Sequence, residues 1–167
     1  LFNDKSIFAL LVPVAASTAL SNRLPNRVVK SEDSIYDKFA VLIASRNEEE
    51  VVPNLIKSLM KQNYPSELFD VYVIPNNCTD NTEKVSKEAG AKIIKCTIPT
   101  KSKGEVLKFT FDKLSKSDID AYVVFDADNV VHPDYLARMN DVLCEGHKVA
   151  QGFRDSKNPE DNWISGS

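Results

Sequence analysis

A mostly parallel β-sheet with helices on both faces is the fold that this 167-residue sequence predicts. Apolar runs of strand length recur, separated by about 30 residues, as βαβ units require. Between them lie segments whose apolar residues repeat at helical spacing. Polar clusters follow the end of each run, where sheets of this kind hold their ligands.

The elements follow in order. The run FAVLIA at 39–44 is apolar on both faces and reads as a buried central strand. Asn47 with Glu50 resembles a capping box, so a helix is expected just beyond it. Its buried face is Val52, Leu55, Ile56, Leu59 and Met60, and Asn63, Tyr64 and Pro65 close it. A second strand is expected at 69–74. Asp80 and Glu83 suit the start of a helix that runs to Ala89 and stops at Gly90. A short third strand covers 92–96. Gly104 opens a third helix, with Val106, Leu107, Thr110, Phe111 and Leu114 on one face. The fourth strand is AYVVF at 121–125. Pro133 suits the first turn of a fourth helix to about Leu143, and 149–153 reads as a fifth strand.

Composition sets the bounds. The chain is the size of one domain and, at 43% apolar and 27% charged residues, globular in character. Twenty-one basic against 24 acidic residues leave a net charge of −3, which argues against a polyanion binder and so against nucleic acid. Cys78, Cys96 and Cys144 are odd in number and form no CxxC, so neither a disulfide framework nor a zinc site is expected, and a reducing compartment fits. The five glycines build neither GxGxxG nor GxxxxGK[ST], which removes the two familiar Gly-rich nucleotide loops.

Residues 1–38 read as an apolar segment followed by a linker, and the compact domain as 39–167. The segment 7–20, broken by Pro13, is shorter than the ~20 residues of a bilayer span. It suits a core or surface helix, or the tail of a membrane helix with Arg23, Arg27 and Lys30 on a cytoplasmic flank. The start at Leu1 and the end at Ser167 suggest a piece of a larger protein.

Four polar loops converge on one sheet edge. They carry Ser45, Arg46 and Glu48; Asn76, Asn77 and Asp80; Lys103 and Gly104; and Asp126, Asp128 and Asn129. Asp126 and Asp128 are one residue apart behind an apolar strand and face one way if the chain stays extended. Like charges that close ionise together only around a cation, and Mg²⁺ or Mn²⁺ suits oxygen ligands shared with substrate phosphates. Lys103 and Gly104, at a helix start, suit an anion.

With these residues in place, the chain resembles family 2 glycosyltransferases of the GT-A fold. The resemblance rests on VLIASRNEE at 41–49, NCTDNT at 77–82, Lys103-Gly104, FDADN at 125–129 and Gln151-Gly152, in the family's order. It implies a Rossmann-like sheet that binds a nucleotide-diphosphosugar, usually a UDP-sugar, for inverting transfer to an acceptor hydroxyl. By position, Ala44, Ser45, Arg46 and Glu48 would line the nucleoside. Asn76, Asn77 and Asp80 would stand at base and ribose, although many members carry Asp where this chain has Asn76. Lys103 and Gly104 would meet the diphosphate, Asp126 would lie near ribose and metal, and Asp128 would bind Mg²⁺ or Mn²⁺. The family's catalytic base is expected beyond Ser167, so this piece is expected to bind donor without efficient transfer. A glycan or lipid-linked acceptor, polysaccharide biosynthesis and the cytoplasmic face of a bacterial membrane complete the expectation.

Two rivals stand beside it. A sugar-1-phosphate nucleotidyltransferase would need a Gly-rich loop after the first strand, and 45–48 contain no glycine. A non-catalytic nucleotide-binding module is the other. His132 and His147 read as loop or surface residues, Cys78 as a small loop residue, and Trp163 as a packing residue.

Overall fold

The computed structural model describes residues 36–147 and 149–152, together with the backbone of Leu10–Pro13. The linker at 21–35, the rest of the apolar segment, and 153–167 with Trp163 lie outside the described residues.

Five strands form one sheet: β1 (Leu10–Pro13), β2 (Phe39–Ser45), β3 (Phe69–Pro75), β4 (Lys92–Ile93) and β5 (Ala121–Phe125). Their order is β1-β5-β2-β3-β4; β5, β2, β3 and β4 are parallel and β1 is antiparallel at the edge. Among the described residues three helices connect the parallel strands, α1 (Val52–Leu59), α2 (Thr82–Glu88) and α3 (Lys103–Leu114), and α4 (Tyr135–Cys144) follows β5.

Alternation along the strands divides the core in two. Phe39, Val41 and Ile43 of β2, with Ala121, Val123 and Phe125 of β5, face α1, α2 and α4. Ala40 and Leu42, with Tyr122 and Val124, face α3 on the other side. Helices therefore cover both faces, which is why β5 and β2 up to Ala44 are apolar at every position rather than at every second one. Val52, Leu55, Ile56 and Leu59 of α1 are fully buried. Burying each such side chain is worth about 1.5–3 kcal/mol, so the apolar stripe, not the cap, holds this helix.

The sequence expectations are corrected at several points. The helix read over 7–20 gives way at Leu10–Pro13 to a strand paired with β5. Pro13 cannot donate to a ladder, and an edge strand is where it is tolerated. Among the described residues no helix is long and apolar enough to cross a membrane. The Asn47–Glu50 capping box does not form. Asn47 is left-handed (φ 55°) and its side chain crosses to Thr79, while Pro53 presets the first turn of α1. Met60 lies past the helix and is 43% exposed. The third strand is only two residues long. Helix α4 begins two residues after Pro133, and 149–152 form no strand.

The stop of α2 at Gly90 is as expected. After α2, Gly90 (φ 104°) donates to Lys87 O at 3.1 Å and Ala91 donates to Ser86 O at 3.1 Å. This is a Schellman closure that needs a left-handed residue.

Candidate functional site

Topology decides where a ligand can sit. From β2 the chain steps outward to β3 and β4, then crosses to β5 on the opposite side of β2. Strand order reverses between β2 and β5, and the crevice at their carboxyl ends is the natural ligand position. A cavity of about 270 Å³ opens there. Its walls are Ala44, Ser45, Arg46 and Glu48 after β2, Asn76 after β3, residues 100–103 and Val106 around the start of α3, and Asp126 after β5.

The start of α3 is fixed by a side-chain exchange. Ser102 is the N-cap, and its Oγ accepts from Glu105 N at 3.3 Å. The Glu105 carboxylate reaches back and accepts from Lys101 N at 2.7 Å. This reciprocal cap sets Lys101 and Lys103 on the cavity wall. Two ammonium groups and a helix N-terminus make that wall favourable to an anion. Lys103 Nζ forms an ion pair with Asp126 Oδ1. Opposite, Asn76 N donates to Ser45 O at 3.0 Å, and its Oδ1 accepts from Thr100 Oγ1 at 2.9 Å.

A second network locks the loop after β2 to the loop after β3. Asn47 Oδ1 accepts from Thr79 N at 2.7 Å, and Glu49 Oε2 accepts from Asn81 N at 2.8 Å. In return, Asp80 Oδ2 accepts from Glu49 N at 3.1 Å and Thr82 Oγ1 from Glu48 N at 2.9 Å. Asn47 and Asn77 both sit in the left-handed region that this docking requires.

Of the sequence-predicted residues, Ala44, Ser45, Arg46, Glu48, Asn76, Lys103 and Asp126 line the cavity. Asn77, Asp80, Gly104 and Asp128 are not among its lining. Asn77 and Gly104 are exposed beside it. Asp80 is engaged by Glu49 N and by the Thr82 amide and hydroxyl. Desolvation works against its ionisation, but those hydrogen bonds outweigh it and hold the carboxyl below the usual aspartate value. Asp128 is half-buried two residues beyond Asp126, with Ala127 between them turned into the core.

Glu48 is the carboxyl pushed up in this crevice. Burial is the main cause; the Arg46 amide and Lys103 work against it, and Asp128 and Asp126 add to the rise. Glu48, Lys103, Asp126 and Asp128 therefore share one electrostatic environment. Four buried polar atoms near this sheet edge have no hydrogen-bond partner among the described residues: Ser45 Oγ, both amide atoms of Asn129, and the Tyr135 hydroxyl.

Asp126 and Asp128 carry the oxygen donors that a hard divalent cation takes, and would suit one only with further ligands from a bound phosphate. Asp126 already holds a cation, the Lys103 ammonium, and Asp128 adds a second carboxylate. Among the described residues no group of three or more His, Cys, Asp or Glu side chains could hold a metal. Two carboxylates with the remaining positions left to phosphate oxygens is the usual arrangement for Mg²⁺.

Thr100, Lys101, Ser102 and Val106 also line the cavity. The sequence pattern S-x-x-E at 102–105 is a capping-box signature that marks the helix start one residue before Gly104 and could have found Lys101 and Ser102. Thr100 carries no comparable signal. At Gly152 an added Cβ would lie 2.8 Å from Tyr135 Cε2, so the ring would have to shift.

Fold and cavity together define an α/β domain of the GT-A type, with a polar crevice at its topological switch point. The model of the family described as glycosyltransferase-like family 2 matches residues 37–166. Protein RfbJ of Shigella flexneri is 36% identical over 128 residues, which cover 76% of this chain and 93% of RfbJ. A beta-monoglucosyldiacylglycerol synthase of Nostoc is 32% identical over 103 residues, 58% of this chain and 21% of the synthase. Among solved structures, S. aureus TarS superposes with a TM-score of 0.58 at 21% identity, over 66% of this chain and 20% of TarS. The mannosyltransferase PcManGT from Pyrobaculum calidifontis, in complex with GDP-Man and Mn²⁺, gives a TM-score of 0.58 at 18% identity, over 78% of this chain and 38% of its own. The chain thus spans nearly all of RfbJ but only about a fifth of the synthase and of TarS. It belongs to glycosyltransferase-like family 2.

Proposed function

We propose that this chain binds the nucleotide-diphosphosugar donor, a UDP-sugar by preference, for an inverting glycosyltransferase that acts on an acceptor hydroxyl. The observation that carries this reading is the cavity itself, where Arg46, Lys101 and Lys103 meet Asp126 at the β2/β5 switch point. TarS of S. aureus has been crystallised with UDP and with UDP-GlcNAc, and PcManGT with GDP-Man, which supports a nucleotide-sugar donor. In this reading the donor-binding unit is 39–167.

Ala44 and Ser45 form the floor beneath the nucleoside, and Asn76, held by Thr100, offers its amide group to the base or ribose. Lys101 and Lys103 at the helix start receive the diphosphate, whose charge grows as the glycosidic bond breaks. Asp126 and Asp128 would hold Mg²⁺ or Mn²⁺. When bound, that ion supplies further neutralisation of the leaving diphosphate. The fixed cap at Ser102 keeps the lysines in place without reorganisation during the reaction.

In this reading the acceptor is a glycan or a lipid-linked group met at the cytoplasmic face of a bacterial membrane; the name of one relative, beta-monoglucosyldiacylglycerol synthase, is consistent with a lipid. Because Leu10–Pro13 is paired in the sheet, membrane contact is assigned to the acceptor or to segments outside this strand.

Isothermal titration of the full chain with UDP tests the reading. Binding is expected with Mn²⁺ present and lost with EDTA. Asp128→Ala is expected to abolish the metal-dependent part while leaving the melting temperature without ligands unchanged or slightly higher. An Asp128→Ala protein that binds UDP with full metal dependence refutes the metal assignment.

A further inference from the structure

We propose that Lys103 couples the two ligands of this site: its ammonium occupies Asp126 until a diphosphate draws it away, so nucleotide and metal enter together. The inference deepens the donor-binding reading above and rests on it.

Lys103 Nζ is paired with Asp126 Oδ1, one of the two carboxylates able to hold a divalent ion. An ammonium on that oxygen repels an incoming cation and fills one of its coordination directions. No third ligand compensates, since no cluster of three metal-ligating side chains occurs among the described residues. The protein alone thus offers a metal Asp128 and a carboxylate already taken. A diphosphate changes both terms. It supplies oxygen ligands, and it offers the Lys103 ammonium a more highly charged partner.

The pair is built to exchange. The side chains are 41% and 38% exposed, so solvent screens the attraction and the contact is cheap to break. Lysine is suited to such a transfer, with three donors on a flexible stem. Lys103 is the first residue of α3, and Ser102 and Glu105 hold its backbone fixed. Only the side chain has to move, and it moves within the cavity that it already lines. Lys101 shares that wall without being the partner of Asp126, so the coupling is assigned to Lys103 alone.

Coupling between two ligands is reciprocal: each raises the affinity of the other by one and the same factor. The test is Mn²⁺ binding to the full chain, read by electron paramagnetic resonance of the free ion and by calorimetry, with and without UDP, and in parallel with GDP. In the wild-type protein, UDP is expected to tighten Mn²⁺ by about tenfold or more, within the usual range of coupling. In Lys103→Met, Mn²⁺ alone is expected to bind several-fold tighter, because Asp126 is released. UDP in the presence of Mn²⁺ is expected to bind more weakly, and the coupling factor to shrink to the part that shared phosphate oxygens supply without Lys103. Lys103→Arg, which retains the charge, is expected to keep most of the coupling. Wild-type coupling in Lys103→Met, or no gain for Mn²⁺ alone, overturns the proposal and leaves the donor site standing. Absence of any Mn²⁺-dependent binding of UDP or GDP to the wild type overturns the donor site, and the proposal with it.

Discussion

Asn129 is 2% exposed, and neither its Oδ1 nor its Nδ2 has a partner among the described residues. Its backbone N donates to Asp126 O at 3.3 Å. The side chain therefore pays a desolvation cost with no return. An unpaired buried polar group costs about 1–3 kcal/mol, and removing it by an apolar group of similar shape recovers that cost. Asn129→Leu keeps the branching and removes both atoms, at the cost of a larger side chain in a buried site. Allowing for overpacking by the larger side chain, the expected gain is about 1 kcal/mol. For a chain of this size each kcal/mol moves the melting temperature by about 2–4 °C, so a rise of roughly 2–4 °C is expected. Urea unfolding is the more direct assay: the midpoint should rise with the slope unchanged, since the same surface is exposed. Asn129→Asp should move the midpoint the other way at neutral pH, because it buries a charge beside Asp128. Loss of 1 kcal/mol or more in Asn129→Leu would refute the reasoning, for it would mean that the amide is already paired.

Ser102→Ala removes the N-cap of α3 and is expected to cost about 1 kcal/mol in urea unfolding, with a matching loss of UDP affinity as Lys101 and Lys103 loosen. Gly90→Ala places a side chain at φ 104°, with its Cβ 3.3 Å from Met60 Cε; a loss of about 1–2 kcal/mol in the same assay is expected. Asp80 has its folded pKa held below the ordinary 3.8, so its ionised form stabilises the fold above that pH. That contribution is lost as pH falls below 3.8 through the folded value. In acid titrations followed by circular dichroism, Asp80→Asn should flatten this part of the stability profile; an unchanged acid limb counts against the cross-loop role.

How much of the site was legible depends on the range of the interactions behind each residue. Asp126 and Asp128 stand out because a buried strand ends immediately before them, and strand ends are local in sequence. Lys103 stands out as a cation at a helix start. Lys101 and Ser102 went unassigned although the cap that places them is written in four consecutive residues. Thr100 has no such mark, because its partner Asn76 lies 24 positions away. Asn47 shows the opposite case. Its spacing to Glu50 favours a local cap, but the docking of two loops gives its carbonyl oxygen the Thr79 amide 32 residues on, and the tertiary bond prevails. Met60 continues the helical period of α1, yet the helix ends at Leu59 and leaves it half in solvent.

The sequence by itself determined the class of the fold and the edge on which the site stands. Strand runs apolar at every position require a sheet covered on both faces, and helical segments between them require parallel strands. Polar residues after each run then converge on one edge whatever the strand order. The order was decided only in three dimensions. Which strand pairs with β2 depends on how faces of helices and sheet pack together, and periodicity within one segment carries no information about that. It is the placement of β5 beside β2 that brings Asp126 against Lys103. The edge strand at Leu10–Pro13 was likewise settled by pairing: a short apolar run cannot be told from a helix by its own pattern, and the open edge of β5 supplied the partner.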